Sequence, residues 1–333
     1  MNHTAQILPG AAAALAVAVS ARLIEFILPV HLIGAPVLAL FIGMGINWIL
    51  PSLTRLEPGL VFTSKRILKA AIVLLGTSLS INTILIVGRL SLTVMFFTLV
   101  TCFGGGWIIG KMLGLNWKLS NLISTGTGIC GGSAIAALAP VIEADHTDIA
   151  YALSVTFIFD MLMIILFPLM GASLGLTDIA YGLWTGTAVN DTSSVVAAGY
   201  AYSEAAGDFA TMVKLVRTLA IIPTVLVFSV IAIHGRRKQR SKKVSIGSLI
   251  PWFILFFLCA ALLNSLGVIP ESLTSGLRSV SRFLMVSALA AIGMKTDIRS
   301  LIQSGPRPLV HGFSISVLVV ITALTVITFM ENI

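Results

Sequence analysis

Thr125-Gly126-Thr127-Gly128-Ile129-Cys130-Gly131-Gly132-Ser133-Ala134-Ile135-Ala136-Ala137 is the stretch on which the reading of this sequence turns. It lies in apolar surroundings, yet places glycine at 126, 128, 131 and 132. Each glycine costs about 1 kcal/mol relative to alanine inside a helix, so a long helix built for stability alone would not carry them. The spacing predicts a helix that breaks at Gly131 and Gly132, where unusual dihedrals cost little, and restarts near Ser133, a residue type suited to N-capping. Free backbone N–H groups and the positive end of the helix dipole then face an anion. Close helix packing through small residues is the competing account of the same glycines. Thr127, Cys130, Gly131, Gly132 and Ser133 are the candidate substrate-binding residues of this segment.

The rest of the chain sets the solvent in which that break occurs. Of 333 residues, 57% are hydrophobic and 10% charged, with a mean hydropathy of +1.03. Soluble domains carry about 25% charge, so an ordinary globular protein is excluded. Apolar stretches fall at 7–24, 35–50, 67–87, 90–113, 119–141, 149–175, 179–200, 209–234, 249–267, 277–295 and 308–330. A span needs about 20 apolar residues to cross a ~30 Å hydrocarbon layer. The expected fold is therefore an all-α polytopic membrane protein of about eleven transmembrane helices. The stretches at 119–141 and 277–295 are the least uniform. The N-terminal stretch, 7–24, has no Lys or Arg ahead of it and is read as a retained span. Cys102, Cys130 and Cys259 sit in apolar stretches without metal-ligand spacing, so neither a disulfide, a metal nor a cofactor is expected.

The net charge of +8 does not point to nucleic acid, because the densest basic run, Arg236, Arg237, Lys238, Arg240, Lys242 and Lys243, occupies one short loop between spans. Such a loop marks the cytoplasmic side. Alternation from it also places Arg55, Lys65, Arg66, Lys69, Lys111, Lys118, Lys295, Arg299 and Arg307 inside, against Arg22, Arg89, Lys214, Arg217, Arg278 and Arg282 outside or at outer span ends. The bias predicts a cytoplasmic N-terminus and an outer C-terminus. It also puts Glu143, Asp145, His146 and Asp148 in an outer loop.

A second polar interruption is Thr185-Gly186-Thr187-Ala188-Val189-Asn190-Asp191-Thr192-Ser193-Ser194. An ionised carboxylate inside a span is costly and faces a cavity or partner, which makes Asp191 a candidate coupling residue, with Asn190, Thr192 and Ser193 beside it. Asp160, deep in Phe157-Ile158-Phe159-Asp160-Met161-Leu162, is the second acid of this kind. Lys214 and Arg217, spaced i, i+3, share a helix face. They can attract a substrate anion, pair with Asp160 or Asp191, or snorkel to the outer interface.

Ser133-Ala134-Ile135-Ala136-Ala137-Leu138 reappears as Ser287-Ala288-Leu289-Ala290-Ala291-Ile292, five stretches later. An odd offset reverses orientation, as in an inverted five-plus-five repeat with an interrupted helix in each half. On this reading 1–34 is an added helix, 35–176 the first repeat and 177–333 the second, and Ser287 joins the substrate-binding candidates.

The glycine motif Gly128-Ile129-Cys130-Gly131-Gly132-Ser133-Ala134-Ile135-Ala136-Ala137, with Val196-Ala197-Ala198-Gly199, Val213-Lys214-Leu215-Val216-Arg217, Pro251-Trp252-Phe253 and Ala291-Ile292-Gly293-Met294, resembles the sulfate exporter family of bacterial membrane proteins over essentially the whole chain. The resemblance implies a fold similar to bile acid:sodium symporters and sodium/proton antiporters, with two discontinuous helices crossing near the midplane. Relatives with a His before the acid contrast with Asn190-Asp191 here, which puts a histidine-based relay in doubt.

These readings converge on a secondary transporter of a small anion, coupled to protons or sodium, and not an enzyme. A cation/proton antiporter using Asp160 and Asp191 is the alternative, with a channel or an intramembrane hydrolase behind it. His3, His31, His146, His234 and His311 all lie near expected span ends, away from a mid-depth nucleophile. The lipid bilayer, the anion and the coupling ion are the expected partners, nucleic acid is not, and a homodimer is left open.

Overall fold

The computed structural model describes residues 3–27, 34–50, 55–234, 252–296 and 305–331. The basic run Arg236–Lys243 lies outside the described residues, as do His31, Pro251, Asp297 and Arg299. Described residues are helical throughout, with no strand among them. In chain order the helices are α1 (His3–Ile27), α2 (Ala35–Ile49), α3 (Glu57–Phe62, a π-helical turn Thr63–Ile67, then Leu68–Gly76), α4 (Ile81–Met112), α5 (Trp117–Gly128), α6 (Gly132–Leu138) and α7 (His146–Ser173). They continue as α8 (Asp178–Ala188), α9 (Thr192–Tyr202), α10 (Glu204–Thr218), α11 (Ile221–His234), α12 (Trp252–Ser265), α13 (Glu271–Lys295) and α14 (Pro306–Glu331).

Among the described residues, six helices are long and apolar enough to cross a membrane: Gln6–Ile27, Ile81–Met112, His146–Ser173, Glu204–Ile231, Ser272–Lys295 and Pro306–Met330. The fourth joins α10 and α11 through a tight turn at Leu219 and Ala220. Pro223 accounts for it, since its ring clashes with the carbonyl four residues back and it has no N–H to donate. Apolar side chains such as Leu85, Phe96, Val100, Trp107, Leu166 and Ile321 point outward, as the lipid-facing surface of a bundle requires.

Two elements do not cross. α5 and α6 form a hairpin: Lys118 Nζ donates to Glu143 O at 2.7 Å, and Asn116 Nδ2 to Asp148 Oδ2 at 3.0 Å, so the chain returns to the end it came from. α8 and α9 form the second: Tyr181 Oη donates to Ala198 O at 2.9 Å, the rings of Tyr181 and Tyr202 stack at 3.9 Å, and Ser203 Oγ donates to Asp178 Oδ1 at 2.6 Å. Arms of 11 or 12 residues are roughly 17 Å long, about half a hydrocarbon layer. α7 leads from the open end of the first hairpin to that of the second, so the hairpins enter from opposite ends.

Three expectations are thereby corrected. The discontinuous pair is not 119–141 with 277–295, because α13 runs unbroken through Ser287 and the second break lies at Val189–Asp191. Neither broken element crosses the bundle as a full span. The acidic run at Glu143–Asp148 lies at the same end as Lys118, not opposite it.

The helices sort into two bundles. α4, both hairpins, α7, α10–α11 and α14 pack together; α1, α2, α3, α12 and α13 form the other. α9 touches α2 and α13, and α12 touches α4, along the seam between them.

Candidate functional site

The tips of the two hairpins meet inside the first bundle. At the first tip the chain reverses through Gly131 at φ +64°, a left-handed conformation that side chains with a Cβ rarely adopt. A Cβ there would also lie 3.1 Å from Asp191 Cβ of the second tip. Each tip leaves the last carbonyls of its incoming helix without an intrahelical donor, an expensive state in a membrane interior. Lys214 and Arg217 supply the donors. Lys214 Nζ donates to Ile129 O at 2.7 Å and to Val189 O at 2.9 Å, joining tip to tip. Arg217 donates from Nε to Gly128 O at 2.7 Å, from Nη2 to Thr127 O at 2.8 Å and from Nη1 to Thr187 O. Both side chains are fully buried, so neither snorkels, and their shared helix face is what lets one helix clamp both breaks.

On the outgoing side the tips differ. Asp191 is the N-cap of α9 and accepts from Ser193 N at 2.9 Å and from Ser193 Oγ. Asp160, 1% exposed in mid-α7, accepts from Asn190 N at 3.0 Å and, through its two oxygens, from Asp191 N at 3.3 and 3.2 Å. The amide oxygen and nitrogen of buried Asn190 have no partner. α6, by contrast, has no side-chain cap.

A cavity of about 430 Å³ lies on the seam between the bundles. The hairpin-bearing side contributes Gly132, Leu153, Ser154, Thr156, Phe157, Asp160, Asp191 and Ser193. The other side contributes Ser64 and Lys65 from the π-helical turn of α3, and Ile292, Lys295 and Thr296 from the end of α13. Polar groups thus line a pocket flanked by lipid-facing helices, with two carboxylates on one wall and two amines on the other.

Of the residues singled out from sequence, the cavity gathers Gly132, Asp160, Asp191 and Ser193. Ser133 Oγ is turned back onto Cys130 O at 3.1 Å and lies 2.9 Å from Cys130 Sγ. Thr127 and Cys130 are buried behind the tip, and Gly131 and Thr192 flank the junction of the two tips without lining the cavity. Ser287 Oγ donates to Phe283 O within its own helix, and its residue is fully buried and away from the cavity. Ser64, Lys65, Ser154, Thr156, Lys295 and Thr296 were not singled out; the two lysines looked like ordinary basic residues at span ends, and no local signal marks the π-helical turn. His311 meets Ser120 with Nε2 3.2 Å from Oγ, but that hydroxyl donates to Gly106 O at 3.1 Å. Its proton is thus aimed away from the imidazole, opposite to what an activated nucleophile needs.

Sequence comparison agrees with this membrane architecture. A family model described as conserved hypothetical protein 698 matches residues 9–312. A UPF0324 membrane protein of Clostridium tetani is 53% identical over 321 residues, covering 93% of each chain. The chain belongs to this family of bacterial membrane proteins. UPF0324 membrane proteins of Streptococcus pneumoniae, 40% identical with 88% of each chain covered, and of Fusobacterium nucleatum, 37% identical with 85% of this chain and 87% of the relative covered, are similar throughout. No solved structure matches the UPF0324 chain.

Proposed function

We propose that the protein is a secondary transporter that moves a small anion across a bacterial cell membrane by alternating access. The observation that carries this is the polar cavity on the seam between two bundles, reaching from the end of α13 to the hairpin tips. Lys65 and Lys295 supply positive potential on one wall. Ser64, Ser154, Thr156, Ser193 and Thr296 supply hydroxyl donors, and Gly132 lets a ligand approach the first tip closely. Sulfate, sulfite and sulfonates fit that chemistry, in keeping with the family resemblance. Lys214 and Arg217 act on this reading as fixed braces and not as ligands, because both are fully buried, neither lines the cavity, and together they donate to five carbonyl groups.

Asp191, partly exposed to the cavity and held by Ser193, is the proton- or sodium-coupling residue, and Asp160 sets its position through the backbone of the second tip. The two hairpin-plus-helix units are an inverted pair, and the boundary between 176 and 177 falls between them, after α7 and before α8. The N-terminus and the basic run face the cytoplasm, and the C-terminus faces outside.

Purified protein screened against sulfate, sulfite, sulfonates, carboxylates and sodium is expected to gain thermal stability with one of the anions, since a ligand of the native state stabilises it. Flux of that anion into proteoliposomes should depend on a proton or sodium gradient. A second reading, cation/proton antiport, draws on the two carboxylates in the cavity wall. Stabilisation by cations alone, with cation-dependent proton release, would replace the first reading by this one.

A further inference from the structure

A second charged cluster joins the two bundles at the end opposite the termini of α2 and α13. Its acids come from the hairpin-bearing bundle: Asp208 and Glu204 from α10, with Tyr200 of α9 beside them. Its cations, Arg278 and Arg282, come from α13 of the other bundle. Arg282 Nη2 donates to Asp208 Oδ2 at 3.1 Å, and Nη1 pairs with Glu204. Tyr200 Oη donates to Asp208 Oδ1 at 2.5 Å, and the Arg282 guanidinium lies over the Tyr200 ring, 5.6 Å from its centre. Arg278 Nε lies 3.8 Å from Asp208 Oδ2 and donates to Ser78 Oγ at 3.2 Å, which ties the cluster to the turn after α3. The side chains at its heart are nearly dry, 10% exposed for Asp208 and 14% for Arg282, while Glu204 at the rim is 76% exposed.

The cavity and this cluster share one seam and two of its helices. Lys295 and Thr296 end α13 at the cavity, and Arg282 and Arg278 sit roughly four and five turns earlier on the same helix. Asn47 Nδ2 donates to Thr296 O at 2.7 Å at the cavity end, whereas Ser281 Oγ reaches Ala71 O at 2.6 Å and Arg278 reaches Ser78 at the cluster end. A seam that admits solvent at one end must be sealed at the other if transport is to be coupled. Apolar side chains would hold a permanent contact at least as well as an ion pair, because burying charge costs much of what pairing returns. Charges suit a contact that must part, since water replaces the lost partner once the seam opens.

We propose that the Asp208–Arg282 pair, flanked by Tyr200, Glu204 and Arg278, is the gate that closes one end of the seam and opens when the cavity end closes. This rests on the alternating-access reading above. The test places a reporter in the cavity, Ser154→Cys in a Cys259→Ala background, and labels it with a membrane-impermeant maleimide in right-side-out and in inverted vesicles. The parent is expected to label from the Lys295 face only. Asp208→Asn or Arg282→Gln removes one partner, and labelling from the Arg282 face is expected to rise about tenfold, with a matching fall from the other face. The reversed pair, Asp208→Arg with Arg282→Asp, should restore one-sided labelling.

Folded single variants that label as the parent does overturn the gate. If the single variants fail to fold, the reversed pair decides: one-sided labelling supports the gate, and labelling from both faces overturns it. Equal labelling of the parent from both faces would mean that the pair does not hold the Arg282 face shut and would overturn the gate; the alternating-access reading is tested apart from it, by gradient-driven anion flux into proteoliposomes.

Discussion

The two hairpins solve one problem with different chemistry. Both leave carbonyl groups unpaired at mid-depth, and both hand them to the same two side chains, Lys214 and Arg217. On the outgoing side they diverge. The first tip turns through a left-handed Gly131 and restarts in the seven-residue α6 with no side-chain cap. The second restarts under two carboxylates, Asp160 on the backbone of Asn190 and Asp191 and Asp191 on Ser193. A tip made of glycine leaves room beside its backbone; a tip made of carboxylates fills that room with its own charge. One is suited to admit a ligand and the other to respond to a proton or cation.

Removing the shared clamp should erase the difference between the tips. Arg217→Leu strips donors from Thr127, Gly128 and Thr187 together, and is expected to cost about 3–5 kcal/mol, enough to abolish folded protein in detergent. Size-exclusion profiles and thermal unfolding check this, and a stable monodisperse variant would mean that the carbonyls find other donors.

Gly131→Ala should strike the first tip and press on the second. The positive-φ backbone there, φ 64° and ψ −131°, costs an alanine about 1–3 kcal/mol, and the new Cβ meets Asp191, so unfolding should move several degrees lower. The counterpart for the second tip is Asp160→Asn, which keeps the shape and weakens acceptance from two backbone N–H groups by about 1 kcal/mol. Equal shifts for the two variants would contradict the idea that only the second tip depends on carboxylates.

Gly132→Val tests the open side of the first tip with little damage to the fold. A Cβ there meets only Leu153 Cδ2 at 3.1 Å, while the larger side chain enters the cavity. Stability should change by less than about 1 kcal/mol, as for a substitution facing space, and ligand-induced stabilisation should vanish. Retained ligand binding would move the substrate away from this tip.

Asp191→Asn should perturb the fold least of all, because the amide oxygen still accepts from Ser193 N. Exchange of anion across proteoliposomes is expected to persist while gradient-driven accumulation is lost. Full gradient-driven transport with unchanged pH and sodium dependence would make Asp191 a structural cap.

Much of this was legible along the chain. Hydropathy alone specified a bundle in lipid, since bilayer crossing depends on a local run of apolar residues and on nothing distant. The cost of glycine and of buried carboxylate is equally local, so the break at Gly131 and the polar interruption around Asp191 were visible, as was the common face of Lys214 and Arg217, although the second broken helix was expected at 277–295. The direction of the chain after each break was not. A broken helix that crosses and one that turns back share the same composition, and only contacts such as Lys118 with Glu143 and Tyr181 with Ala198 separate them. The Ser287 repeat misled for a related reason: Ser-Ala-rich hexapeptides suit any tightly packed helix, broken or whole, and α13 is whole. Lys65 and Lys295 entered the charge count as residues of span ends, and tertiary packing made them a wall of the cavity. Local chemistry is written residue by residue, so the sequence by itself determined what the two tips are made of. Which carbonyl meets Arg217 and which bundle faces Asp208 depend on helices far apart in the chain, and only their packing decided them.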